Sequence, residues 1–165
     1  MNKINWKISM LWYWVSYFVV TAIGVGHTIF NGVVLKMETM AQISQTGQQL
    51  EILDTAYGMG TAYAKTVPFH PLYNIIIWSI FAFLYFRMTK PEKNQWKTSL
   101  FLGLSWTLIT IIFDVFGWVV IKHPWTMTWK AFYIDYQPWI TLIYFAIFIS
   151  TFIGMALYHK TNKKM

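Results

Sequence analysis

The chain has 165 residues, of which 56% are hydrophobic, 20% aromatic and only 12% charged. Soluble domains carry about 25% charged residues, so this composition excludes an ordinary water-soluble fold and points to lipid as the solvent. The formal charge is +7, and the absence of cysteine removes disulfides, thiol catalysis and thiolate metal sites. The cations flank apolar runs, which ties them to membrane topology and anionic headgroups and speaks against nucleic acid as a partner.

A helix needs about 20 residues to cross ~30 Å of hydrocarbon, and only helices satisfy every backbone group within such a run. Four runs meet that requirement, so the expected fold is an all-α membrane protein, a four-transmembrane-helix bundle forming one integral membrane domain over residues 1–165. Span 1 covers residues 8–35. Lys3 and Lys7 ahead of it, and Gly24-Val25-Gly26 within it, sketch a signal peptide. The run is dense with Trp12, Tyr13, Trp14, Tyr17 and Phe18 and continues past the glycines, so an uncleaved anchor is expected.

In the following connection Thr46 and Gln49 have capping-box spacing, and Leu50, Leu53 and Tyr57 share one face ahead of Gly58 and Gly60. That pattern predicts a short helix lying at the membrane interface. Pro68 and Pro71 lead into span 2, residues 71–88, where Pro71 suits the first helical turn. A short basic turn, Lys90-Pro91-Glu92-Lys93, leads to span 3, residues 99–121. The second long connection, from His123-Pro124-Trp125 to Gln137-Pro138-Trp139, is aromatic and is again expected in the interface. Pro138 opens span 4, residues 139–158.

Lysine and arginine set the orientation. One side holds Lys3, Lys7, Arg87, Lys90, Lys93, Lys97, Lys160, Lys163 and Lys164, and the other holds Lys36, Lys65, Lys122 and Lys130. Nine against four predicts that both termini are cytoplasmic.

Span 3 carries a stripe of small and polar residues at helical spacing: Gly103, Thr107, Thr110, Asp114 and Gly117. Such residues let membrane helices approach closely and hydrogen-bond. Asp114 is the one acidic residue deep within a span, and an ionisable group there is a functional candidate by default. Span 1 offers His27 and Asn31 toward its outer end, and span 2 offers His70, Tyr73 and Asn74 near its outer start. His27, His70 and Asp114 therefore fall in the outer part of the membrane, while His159 belongs to the basic inner tail.

Imidazole and carboxylate suit zinc or iron, which makes His27, His70 and His123 the candidate metal ligands. No HExxH occurs and no two histidines stand three or four apart, so no metal site and no cofactor are expected. No nucleophile motif occurs either. Asp114 and Asp135, near the outer parts of spans 3 and 4, give a layout that resembles lipoprotein signal peptidase in architecture: four spans with both ends inside. The resemblance implies a membrane aspartyl hydrolase with these two as catalytic candidates. That family's Asn- and Gly-rich motifs are replaced here by Phe113-Asp114-Val115-Phe116-Gly117 and Ile134-Asp135-Tyr136-Gln137, and no catalytic role is carried over.

The function expected is binding of a lipid or lipophilic small molecule in an outward-facing polar cleft formed by His27, Asn31, His70, Asn74 and Asp114. Membrane lipids, a second copy of the chain or a larger membrane complex served by an accessory subunit are the expected partners. The alternatives are an outer-leaflet hydrolase, metal- or Asp-dependent, and proton or ion transport through Asp114. In each case the Asp114 carboxyl must turn inward and find imidazole or amide partners on neighbouring helices.

Overall fold

The computed structural model describes residues 4–38, 60–91, 94–122 and 126–162. The expected interfacial helix starting at Thr46, and His123, lie outside the described residues. Four helical runs are long and apolar enough to cross a membrane: Trp6–Val33, Thr61–Thr89, Gln95–Val120 and Trp139–Asn162. No strand occurs among the described residues.

Helix α1 (Trp6–Val33) starts where Asn5 leaves the helical conformation and its side chain accepts the Ile8 N–H at 3.2 Å. The second run begins ten residues before the span predicted from hydropathy. A short helix α2 (Thr61–Thr66) and a 3₁₀ turn (Val67–Phe69) feed directly into α3 (His70–Thr89). The physical reason is Asn31, which holds α2 against the end of α1 by donating to the Ala62 carbonyl and to Thr66 Oγ1. Pro71 falls in the first turn of α3, as its missing N–H favours. The chain leaves α3 through Lys90 in the left-handed conformation and enters α4 (Gln95–Asp114). From Val115 to Val120 the helix widens into a π segment, with the Ile121 N–H reaching back five residues to the Phe116 carbonyl. A second π segment, Ala131–Asp135, precedes α5 (Trp139–Asn162).

The helices alternate in direction along the chain. α3 packs most extensively against α5, α5 also packs on α4, and α1 packs on α3. Glycine sets the two closest approaches. A Cβ on Gly154 of α5 would stand 2.6 Å from the Ala82 Cβ and from the Phe83 N of α3. A Cβ on Gly103 of α4 would stand 2.8 Å from Thr151 Oγ1 and 2.9 Å from the Phe148 carbonyl of α5. This is the small-residue packing that lipid-embedded helices use in place of a hydrophobic drive.

α1 and α4 run parallel and meet differently. Their backbones stay further apart than those of the other neighbours, and long side chains bridge the gap. Trp106 Nε1 donates to Ser9 Oγ at 3.1 Å, Tyr13 and Thr110 share a hydroxyl bond at 3.3 Å, and the Tyr17 hydroxyl donates to Asp114 Oδ1 at 3.3 Å. Each rung joins residues 97 apart, and successive rungs are one turn of four residues on.

The interior is divided in two. Near the end where α1 starts and α5 finishes, Tyr13, Trp78, Trp106, Leu102 and Phe86 form one buried cluster. At the opposite end Val67, Met127, Ala131, Phe132, Tyr136 and Ile140 form another. Much of the second aromatic connection therefore folds into the protein's own core. The outward surfaces of the helices carry large apolar side chains such as Leu11, Phe18, Leu108 and Phe145, while Ser9, Ser99, Ser150 and Thr151 are buried. Apolar residues outside and small hydroxyls inside are what a lipid solvent selects.

Candidate functional site

Between the two clusters lies a cavity of about 530 Å³. Tyr17, Thr21, Gly24 and Thr28 of α1 form one wall, and His70, Tyr73, Asn74 and Trp78 of α3 the next. Thr110, Asp114 and Trp118 line the α4 side, and Ile140, Ile143 and Ile147 the α5 side. Met127, Phe132 and Tyr136, from the connection ahead of α5, close one end, beside Tyr63 of α2. The cavity is in the half of the molecule remote from Lys7, Arg87, Lys90, Lys97 and Lys160, which cluster where α1 starts and α5 ends.

Asp114 turns inward, as lipid requires, and is 8% exposed. Its partners differ from those expected. Among the described residues no imidazole or amide reaches it; two tyrosines do. Tyr17 of α1 donates to Oδ1, and Tyr144 of α5 donates to Oδ2 at 3.1 Å. The Tyr133 hydroxyl lies 3.3 Å from that of Tyr144. The reason is reach: α1 is held off α4, and a phenol spans that gap where an asparagine or threonine does not. Burial raises the pKa of the Tyr133 phenol. The position of Asp114 at the entry to the π segment also re-aims the following side chains, bringing Trp118 to the cavity.

His70 opens α3 at the far side of the same cavity. Its Nδ1 is 2.9 Å from the Tyr136 hydroxyl, which in turn is 3.1 Å from that of Tyr63. Its Nε2 is buried without a hydrogen-bond partner and faces Gly24, where a Cβ would come to 3.4 Å from it. Asn74, one turn on, is fully engaged within α3: its Nδ2 donates to the His70 carbonyl at 2.8 Å and its Oδ1 accepts from Trp78 Nε1 at 2.9 Å.

Of the five residues expected to form the cleft, His70, Asn74 and Asp114 line the cavity, whereas His27 and Asn31 do not. His27 Nδ1 is taken by the Tyr73 hydroxyl, and its ring stands edge-on to Phe69. The Asn31 amide is spent on fastening α2. Asp135 is also separate. Its carboxylate pairs with Lys130 at 2.8 Å, and it shares no partner with Asp114. Among the described residues no three His, Cys, Asp or Glu side chains are grouped to hold a metal ion.

Within the span 3 stripe, Gly103 is a packing glycine, while a Cβ on Gly117 would meet nothing within 4 Å. The Thr107 hydroxyl is buried without a partner. The site's tyrosines at 17, 63, 136 and 144 were not marked by sequence reasoning as site residues. The available signal was that Tyr17 stands one turn beyond Tyr13 on α1, matching the one-turn step from Thr110 to Asp114 on α4. Compared with protein families, with curated proteins and with solved structures, the chain matches none.

Proposed function

We propose that this is a multi-pass membrane protein that binds a lipid or lipophilic small molecule in the cavity between α1, α3, α4 and α5. One observation carries the reading: a cavity of about 530 Å³, walled mainly by aromatic and aliphatic side chains, holds a few fixed polar groups, chief among them Asp114 and His70 Nε2. Small-molecule sites are built this way, with apolar walls for affinity and few polar groups for orientation, and typically measure about 300–1,000 Å³. Both termini belong in the cytoplasm and the cavity in the outer half, because the basic residues gather at the opposite end. The connection ahead of α5 then lies near the outer interface. The chain serves either alone or as the ligand-carrying subunit of a larger membrane complex.

Native mass spectrometry of the detergent-purified protein tests the binding. A copurifying apolar molecule is expected, and it should be lost in Gly24→Phe, which fills the cavity from α1. An empty wild-type protein that also ignores added lipids would refute the reading. Orientation is tested separately, because the chain has no cysteine. Lys90→Cys should resist a membrane-impermeant maleimide in intact cells, and Lys36→Cys should react.

A further inference from the structure

The cavity contains a carboxylate and, among its described lining residues, no lysine or arginine. Asp114 is held there by two hydroxyl donors, one on each oxygen. Hydroxyls orient a carboxyl group without supplying a counter-charge, and a buried carboxylate without one is costly, so a cation seated beside Asp114 is what would hold it ionised. The walls are rich in aromatic side chains: Tyr17, Tyr73, Trp78, Trp118 and Phe132 all border the same space. Aromatic faces attract cations, most strongly where water is excluded, and they are the recurring surface for ammonium groups.

The opposite side of the cavity supplies a complementary group. The Tyr136 hydroxyl stands against His70 Nδ1, and the Tyr63 hydroxyl against that of Tyr136. The other ring nitrogen, Nε2, is buried and unpartnered. When Tyr136 donates to Nδ1, the neutral imidazole carries its proton on Nε2, and that N–H calls for an acceptor oxygen.

From the carboxylate, the ring faces and the imidazole N–H together, we propose that the ligand is an amphiphile bearing an ammonium group. The ammonium pairs with Asp114 among the rings, an ester, hydroxyl or phosphate oxygen accepts from His70 Nε2, and an alkyl chain follows the isoleucines of α5. This rests on the cavity being a ligand site at all. Two sources share the chemistry: the headgroup of an ammonium lipid, and a free lipophilic amine.

The probes are decyltrimethylammonium, decylphosphocholine and decanol, added to the full chain in uncharged maltoside micelles and followed by native mass spectrometry, with Gly24→Phe as the background. Decyltrimethylammonium is expected to bind the wild type one to one and to displace decanol. Asp114→Asn should weaken it by at least about tenfold while leaving decanol unchanged. If decylphosphocholine binds with the same dependence on Asp114, a lipid headgroup is the source; if it does not, a phosphate-free amine is. Equal retention of decyltrimethylammonium and decanol by the wild type, both blocked by Gly24→Phe, would overturn the ammonium assignment and leave the cavity reading standing. Retention of no probe above background would overturn both. The comparison of probes on the wild type decides the matter even if the Asp114 variant fails to fold.

Discussion

The two halves of the bundle solve the same problem in opposite ways. Toward the basic end, the α3–α5 and α4–α5 contacts are closed by Gly154 and Gly103, and Tyr13, Trp78 and Trp106 fill the space between helices. Toward the other end, the helix walls separate, two π segments interrupt regular geometry, and a loop with its own apolar cluster covers what would otherwise be a hole. In the first half α5 is held to α3 and α4 by proximity, with small residues that let backbones touch, while the α1–α4 seam is bridged by long side chains. The second is built by reach, with tyrosines whose hydroxyls meet across open space. Proximity gives stability with little room for chemistry, and reach gives a cavity whose polar groups are fixed at a distance. Stability and binding should therefore be separable by mutation.

The sharpest way to break this contrast is Gly154→Leu. Its side chain must enter space already occupied by Ala82 and the Phe83 backbone, so α3 and α5 must part. A loss of about 3 kcal/mol in detergent unfolding is expected, the upper range for overpacking. Tyr136→Phe attacks the other half. It strips the partner from His70 Nδ1 and from the Tyr63 hydroxyl, and should cost about 2 kcal/mol, seen in the same unfolding measurement, while also weakening ligand retention.

Asp114→Asn keeps one carboxamide oxygen for Tyr17 or Tyr144 and removes the ionisable carboxyl. Its stability should stay within about 1 kcal/mol of the wild type while binding falls, the clearest sign that this half is built for a ligand. A large loss of stability with binding intact would reverse the division argued here. Ser9→Ala, at the basic end of the α1–α4 seam, should be the mildest change. It removes one interhelical bond from Trp106, worth about 0.6 kcal/mol in membrane proteins. Ligand retention should be unaffected.

What could be read from the residues follows the same divide. The four spans were legible because hydrocarbon thickness imposes a length and a composition on each segment, and no tertiary contact can override that demand. The early start of the second run was not, since it depends on Asn31 catching the Ala62 carbonyl 31 residues away. Asp114 announced itself by being a carboxyl in an apolar run, and its inward orientation followed. Its partners could not be foreseen. The sequence contains ten tyrosines, and which of them reach Asp114 depends on how far apart α1 and α4 stand. His27 of α1 and His70 of α3 stand at the same end of the bundle, but only the His70 ring lines the cavity, because the Tyr73 hydroxyl takes His27 Nδ1.

The constant offset of 97 along the α1–α4 seam has a mechanical meaning. Like the teeth of a rack, rungs repeated every four residues permit only discrete alignments, spaced about 6 Å apart at 1.5 Å per residue. Any smaller slide unmakes all three links at once, so the two rods travel as one piece. Tyr17, beside Asp114, and Ser9 stand two turns apart on the same helix, about 12 Å along its axis, so the first and last rungs of the seam are tied together through α1 as well as through α4.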